Sequence, residues 1–326
     1  MLIISLLTIK SVFPQPKEYY KEVSQIVWVV NDLDSVMAVW QKLGFEGIVP
    51  GENTLMTGQE YRGKLVDIKV KAASMNMGGK AVTWIQPDKG KNAYYDFLKK
   101  NGDGAMALMH RVSSLEEINN EVKRMSKLGV KILQRGSFLS RNISIDYVFF
   151  DTQKKGKYVL GLYDGRKVPD SFTSMPNTLS MSFCQFAFAI KNPVPVSAFW
   201  EKLGFPKMEV THSQSWGREY YGKPAEFEMD LGWQRHGKIV YEWCIPLKSP
   251  NVYEDHIKNF GEGIQHFGMT VSDMDKAIAF MQEKGFKISQ SGGWGEKGKA
   301  GSGRFAYVNT EGIGGETIEL LWNFTE

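Results

Sequence analysis

The chain repeats itself once over nearly its whole length, and that repeat limits what it can fold into. Gln25-Ile26-Val27-Trp28-Val29-Val30, followed by Trp40-Gln41-Lys42-Leu43-Gly44-Phe45, returns as Gln185-Phe186-Ala187-Phe188-Ala189-Ile190 and Trp200-Glu201-Lys202-Leu203-Gly204-Phe205. The register continues: Gly58-Gln59-Glu60-Tyr61-Arg62-Gly63-Lys64 matches Gly217-Arg218-Glu219-Tyr220-Tyr221-Gly222-Lys223, and Thr83-Trp84-Ile85-Gln86-Pro87 matches Glu242-Trp243-Cys244-Ile245-Pro246. A period this long implies duplicated domains, not a solenoid of short repeats. With 326 residues and 42% hydrophobic content, the chain can build two ordinary cores.

Each copy divides again. An apolar strand, an amphipathic helix ending at a glycine and three further strands recur four times, giving four tandem βαβββ units and an α+β fold. In the second copy the first unit reads as strand 183–190, helix 195–203 and strands near 207–212, 225–232 and 238–245. The next reads as strand 265–271, helix 275–284 and strands near 287–291, 304–309 and 317–322. The segment between the copies, rich in Pro, Ser, Thr and Asn, predicts a linker over 169–182. The expected domains are therefore 23–168 and 183–326. Residues 1–22 form an N-terminal tail or a degenerate export leader: Leu2 to Ile9 is apolar, but a basic start and a small-x-small cleavage site are missing. Location thus stays open between cytoplasmic and exported, that is periplasmic.

A formal charge of +4 from 40 basic and 36 acidic residues, without a basic run interleaved with aromatics, argues against nucleic acid as a partner. The apolar start is too short to span a bilayer. Cys184 and Cys244 make neither a disulfide framework nor a thiolate metal cluster, and alternation assigns them to opposite sheet faces as free thiols. Lys154, Lys155 and Lys157, broken by Gly156, read as a solvated hairpin turn. A small-molecule substrate and a monomer or homodimer are what remains.

Strand alternation places Gln185, Glu242, His266 and Glu319 on the first and last strands of two successive units. A carboxylate such as Glu319, flanked by Ile318, Leu320, Leu321 and Trp322, is costly to bury unless it meets a cation or a proton. Taken alone, a histidine on an apolar strand is more often a hydrogen-bonded core residue than a ligand. His110, His212, His236 and His256 lie off these positions and read as surface or loop residues.

Four βαβββ units with these four positions resemble the glyoxalase/bleomycin-resistance/dioxygenase family, the vicinal oxygen chelate superfamily. The most specific pieces are Gly261-Glu262-Gly263-Ile264-Gln265-His266-Phe267-Gly268 and Gly314-Gly315-Glu316-Thr317-Ile318-Glu319-Leu320. The resemblance implies that units pair into half-open barrels. It also implies one divalent metal ion (Zn, Ni, Co, Mn or Fe) held on the inner surface by Gln185, Glu242, His266 and Glu319. This set is similar to that of glyoxalase I; it departs from the two-histidine set of extradiol dioxygenases at Gln185, and from methylmalonyl-CoA epimerases in the order of Gln and His. The implied activity is that of a metal-dependent isomerase or lyase. A proton next to a metal-bound carbonyl is removed, the ion stabilises the enediolate, and Glu319 shuttles the proton with Glu242 as a second base. A ring-cleaving extradiol-type dioxygenase and a metal-free binding or resistance protein are the alternatives.

The first copy carries Gln25, Thr83, Ala107 and Gly161 at the four positions, so it is not expected to bind metal in this way. The site is accordingly expected within 183–326, without help from the first copy. Two segments read as loops at the pocket rim, 216–223 and 292–299. They nominate Arg218, Tyr220, Lys223 and Trp294 as substrate-binding residues.

Overall fold

The computed structural model describes residues 17–51, 53–140, 143–166 and 177–324. The apolar start of the chain and most of the expected linker lie outside the described residues. The first unit comprises β1 (Gln25–Val29), α1 (Leu33–Lys42), β2 (Val49–Pro50), β3 (Thr54–Tyr61), β4 (Lys64–Met77) and β5 (Lys80–Pro87), followed by α2 (Ala93–Asn101). The second has β6 (Gly104–Val112), α3 (Leu115–Lys127), β7 (Ile132–Ser140), β8 (Ile143–Phe150), α4 (Gln153–Gly156) and β9 (Val159–Asp164). The third has β10 (Ser182–Ala189), α5 (Pro193–Lys202), β11 (Glu209–His212), β12 (Ser215–Tyr220), β13 (Lys223–Pro224), β14 (Glu228–His236) and β15 (Ile239–Lys248), then α6 (Val252–Phe260). The fourth has β16 (Gly263–Thr270), α7 (Met274–Glu283), β17 (Ile288–Trp294), β18 (Gly303–Val308) and β19 (Thr317–Asn323).

The helices begin where short polar side chains cap them. Asp32 accepts from Ser35 N, Ser114 from Glu117 N and Asp273 from Lys276 N, satisfying amides that a helix start leaves open. Proline at the first position of α5 fits the same place. Besides the short α4, two longer helices are not expected from the sequence. α2 and α6 join paired units and are capped by Asn92 and Asn251. At nine residues each, they carry too few turns for a periodic signal, and they form because they pack against the strands beside them.

The α+β architecture is as expected: two curled sheets, each contributed by a pair of units. The first sheet runs β2-β4-β3-β7-β8-β9-β6-β1-β5, and β5 pairs again with β4, so hydrogen bonds close it into a ring. The second runs β11-β14-β15-β10-β16-β19-β18-β17-β12-β13 and stays open between its two ends. Segment 216–223, expected as a rim loop, is instead the β12–β13 hairpin pairing with β17, from Ser215 opposite Trp294 to Tyr220 opposite Gln290. Its aromatic and charged residues alternate across a strand, which masks the pattern when only composition is read.

The largest core lies between the sheets. Trp28, Trp40 and Trp84 from the first half and Phe188, Trp200 and Trp243 from the second belong to one continuous apolar cluster. The halves are also tied by polar contacts: Arg124 donates to Leu203 O at 3.1 Å, Trp200 to Gly156 O at 3.1 Å and Asn101 to Phe260 O at 2.9 Å. Lys154 and Lys155 are exposed as expected, but the Lys154–Lys157 cluster is not a hairpin turn. It holds the short helix α4, and Lys157 pairs with Glu262 at 2.7 Å across the junction. His110, His236 and His256 are buried, not superficial, and only His212 is exposed. His110 on β6, His236 on β14 and His256 on α6 each pack beside an aromatic ring, which isolated histidines in the sequence do not reveal.

The loop that leads into β19 is itself held by the first half, which corrects the expectation of a self-sufficient second half. Trp28 donates to Gly314 O at 2.5 Å, and Glu316 Oε1 accepts the Ala105 amide at 2.6 Å. Burial, with the charge of Glu311 adding to it, holds the Glu316 carboxyl well above its ordinary value of 4.5. In the unfolded chain this group ionises near that ordinary value, so folding takes up a proton above it. The stabilising protonated form is fully present below the unfolded pKa and is lost as pH rises through the folded one. Glu316→Gln keeps the acceptor for Ala105 and removes the titration. Its melting temperature is expected to match the wild type near pH 4 and to exceed it increasingly toward pH 8, as the stability difference grows by at most about 1.4 kcal/mol per pH unit. A pH-independent difference in thermal denaturation would contradict this account.

Candidate metal centre

Four strands bring the expected residues together by register. β10 runs parallel to β15, with Ala187 opposite Glu242, and antiparallel to β16, with Ala187 opposite His266 and Gln185 opposite Gly268. β16 runs parallel to β19, with Gly268 opposite Glu319. Gln185, Gly268 and Glu319 therefore form one row across the sheet, and Glu242, Ala187 and His266 form the next. Small residues fill the places between the long ones. A Cβ on Gly268 would lie 2.4 Å from Gln185 Cγ, so only glycine lets Gln185 cross its neighbour strand. Gln185 Nε2 then reaches Oε2 of both Glu242 and Glu319, each at 2.9 Å.

His266 Nε2 stands 3.3 Å from the same two carboxylate oxygens. It has no aligned hydrogen bond to either. One ligand atom from each of Glu242, His266 and Glu319 lies within 4.8 Å of the others, and all three residues are buried. Relative exposures of 6% for Glu242, 3% for Glu319, 0% for His266 and 9% for Gln185 mean that water contributes little to balancing the charge. Burial pushes the Glu242 carboxyl up, against the pull of His266 and with the repulsion of Glu319. For His266, burial favours the neutral ring, but the charges of Glu319 and Glu242 outweigh it and push the imidazole up to about 9. The donor set is oxygen-rich with one imidazole and fits a borderline divalent cation. Gln185 would join it by turning its amide to present Oε1, since the nitrogen faces the carboxylates here.

Residues around this set were not legible beforehand. Gln265 is the extra residue of a bulge: Ala187 pairs with His266 and Phe188 with Ile264, leaving Gln265 unpaired between them. Its Oε1 lies 2.6 Å from His266 Nδ1, and a proton there leaves Nε2 as the ligating nitrogen of a neutral ring. Tyr307 lies edge-on to His266 with centroids 4.9 Å apart, and its hydroxyl meets that of Tyr253 from α6 at 2.7 Å. Both cysteines are free. The alternation argument fails at Cys184, because the register shifts between Phe183 and Gln185. Burial, then the charges of Glu319 and Glu242, raise its thiol to about 12.

The four rim candidates take different places. Tyr220 donates to Asp255 of α6 at 2.6 Å and thereby holds that helix. Lys223 is exposed at the hairpin, and Trp294 packs against the apolar interior of the second sheet. Arg218 is half-buried and donates to Phe227 O at 2.6 Å. A cavity of about 940 Å³ lies elsewhere, between α7 and the strands β12, β17 and β18, and none of the four ligand-type residues lines it.

In the first sheet the same rows contain no such set. Gln25 donates to Thr83 Oγ1 at 2.6 Å, and Met109 stands opposite both Gln25 and Gly161. A Cβ on Gly161 would lie 2.1 Å from Met109 Sδ. The methionine thus fills the space that Glu319 and Gln185 occupy in the second sheet.

The model of the glyoxalase/bleomycin resistance protein/dioxygenase superfamily matches this chain twice, over residues 24–149 and 184–307. Among solved structures, a triple mutant of 4-hydroxymandelate synthase from Streptomyces coelicolor is similar at a TM-score of 0.59 and 13% identity, covering 93% of this chain and 92% of that one. A xylose isomerase-like TIM barrel/4-hydroxyphenylpyruvate dioxygenase fusion protein is similar at 0.54 and 12% identity, over 96% of this chain and 50% of the fusion. At such identities the likeness is one of fold.

The gap at Gly268 gives a test of the geometry. Gly268→Ala is expected to push Gln185 out from between the carboxylates, destabilise the protein by about 1–3 kcal/mol through overpacking and weaken divalent-ion uptake measured by calorimetry. Unchanged ion affinity in a folded Gly268→Ala protein would show that Gln185 has no part in the centre.

Proposed function

The chain belongs to the glyoxalase/bleomycin resistance protein/dioxygenase superfamily, and from that membership we propose that it is a divalent-metal-dependent enzyme whose site is the Gln185–Glu242–His266–Glu319 cluster of the second sheet. The observation that carries this reading is the buried, unaligned His266 Nε2 facing two buried carboxylates 3.3 Å away. Three such groups without a cation are an expensive arrangement, and a bound divalent ion balances them. When bound, that ion supplies a Lewis acid for two neighbouring oxygens of a small substrate.

The proposed reaction is proton transfer next to a carbonyl, of the isomerase or lyase type. The chain's part is acid–base work. Glu319 takes and returns the proton through its carboxylate, Glu242 is positioned to act as the second base, and Gln185 orients both through its amide. Tyr307 and Tyr253 close the wall beside His266 and keep water out of this part of the barrel.

A second reading, an oxygenase, draws support from a different observation. The whole two-sheet layout of this chain, not only one half, is shared with the TIM barrel/4-hydroxyphenylpyruvate dioxygenase fusion protein, over 96% of this chain and 50% of the fusion. Against it stands the ligand set: one histidine with two carboxylates differs from the two-histidine, one-carboxylate triad of non-haem iron oxygenases.

Wild-type protein is expected to take up one divalent ion per chain, and His266→Ala and Glu319→Gln are expected to weaken that uptake by at least roughly tenfold to a hundredfold. Equal ion affinity in the wild type and both variants would defeat the enzyme proposal in either form. With a metal-loaded sample, exchange of a carbon-bound substrate proton with deuterated solvent supports proton transfer, and oxygen consumption with the same substrate supports the oxygenase.

A further inference from the structure

The interior walls of the two barrels differ at a second place, away from the ligand set. In the first, Gln134 Oε1 accepts the Ala93 amide at the start of α2 at 2.9 Å, and its Nε2 donates to Tyr147 Oη at 2.8 Å. The Tyr147 hydroxyl then donates to Gln59 Oε1 at 3.0 Å, so this network is closed. The second barrel keeps the anchor and loses the rest. Gln290 Oε1 accepts the Val252 amide at the start of α6 at 3.1 Å. Register sets Phe305 where Tyr147 stands, since Gly136 faces Tyr147 and Gly292 faces Phe305. It likewise sets Arg218 where Gln59 stands, because Tyr61 faces Gln134 and Tyr220 faces Gln290.

Two hydrogen-bond donors are thereby left on this wall. Gln290 is fully buried, and its Nε2 has no partner among the described residues. Its amide cannot be turned over to relieve this, because Oε1 is needed by the Val252 N–H. Arg218 lies over the Phe227 ring at 5.8 Å and donates to Phe227 O, but among the described residues no carboxylate pairs with its charge. A guanidinium without a carboxylate partner, on the strand that faces Gln290 and two residues from Tyr220, together with an unpaired amide donor favours an anionic, two-oxygen acceptor over a neutral one. The wall is continuous with the ligand set: Gln290 faces Tyr307, and Tyr307 faces Glu319, two strand spacings or roughly 10 Å away.

We propose that Gln290 and Arg218 form a carboxylate-recognising subsite of the second barrel. The substrate class is then a compound with two vicinal oxygens for the Glu242–His266–Glu319 centre and a separate carboxylate about one ring or short chain away. This inference rests on the reading of that centre as a metal site.

The test uses full-length protein loaded with Zn(II), a redox-silent ion, with loading verified by metal analysis. Calorimetry compares catechol with 3,4-dihydroxybenzoate and 3,4-dihydroxyphenylacetate, which present the same vicinal oxygens with a carboxylate added. Wild type is expected to bind at least one carboxylated probe tenfold or more tighter than catechol. Gln290→Glu, which keeps the acceptor for Val252 and replaces the donor, is expected to abolish the preference without changing zinc uptake, and Arg218→Met to reduce it. Phe305→Tyr repeats the first barrel's solution: it gives Gln290 Nε2 an acceptor, so melting temperature is expected to rise while the preference falls. Zinc-loaded wild type without a preference, or Gln290→Glu and Phe305→Tyr proteins that retain it, would overturn the subsite while leaving the metal centre standing. A wild type that takes up no zinc would remove both.

Discussion

Two carboxylates and one imidazole share a space from which water is nearly excluded, and much of the second half is arranged around that charge. A single protonated ring can balance one carboxylate, and the raised pKa of His266 expresses that balance. The other must be met by hydrogen-bond donors, a proton or a cation. The amide of Gln185, threaded over Gly268, reaches both acids but carries no charge. Tyr307, Tyr253 and Cys244 surround the group without supplying any, and each is itself held neutral by burial and the neighbouring negative charges. The sheet therefore concentrates negative potential at one point of its inner surface and sets the Nε2 of His266 against it.

Geometry of this kind needs a frame that does not yield, and the first half supplies part of it. Its barrel is closed by β4–β5 and β3–β7 pairing and filled with Tyr94, Met109, Tyr147 and Phe149. Its outer face contributes Trp28, Trp40 and Trp84 to the core shared with the second half. Trp28 and the Ala105 amide then hold the loop Gly314–Glu316, three residues before Glu319. A copy whose described residues hold no such ligand set thus bears on where one of the carboxylates sits.

Much of this was readable from the chain alone, for reasons that differ between levels. Strand periodicity and the glycine stops fixed the four units, because both reflect local geometry that survives in any packing. Alternation assigned Gln185, Glu242, His266 and Glu319 to the first and last strands of two units, the family resemblance implied a common inner surface, and the structure brings the four together. What escaped was set by tertiary context. Gln265 joins the site through a bulge, which alternation excludes by construction. The same kind of register shift misplaced Cys184. The hairpin at 216–223 read as a rim because it is aromatic and basic, whereas Tyr220 and Arg218 turn inward toward Asp255 and Phe227. α2 and α6 depend on strands and capping asparagines for their existence, so no periodic pattern announces them.

The difference between the two copies is coordinated, not a simple loss of ligands. Gly268 and Glu319 in one sheet face each other where Met109 and Gly161 face each other in the other. Each pair contains one glycine and one long side chain, with the places exchanged, so the volume between the strands is kept while its chemistry is inverted. A single change in either copy would fail. A glutamate at 161 would strike Met109 Sδ and bury a charge without partners. A methionine at 268 would displace Gln185 and set an apolar side chain against the two carboxylates in its place. The same logic joins Gln134, Tyr147 and Gln59 on one side to Gln290, Phe305 and Arg218 on the other: one set satisfies itself, and the other leaves donors open. Close packing makes these alternatives discrete, since a barrel wall this dense has room for a filled interior or for a binding site but not for half of each.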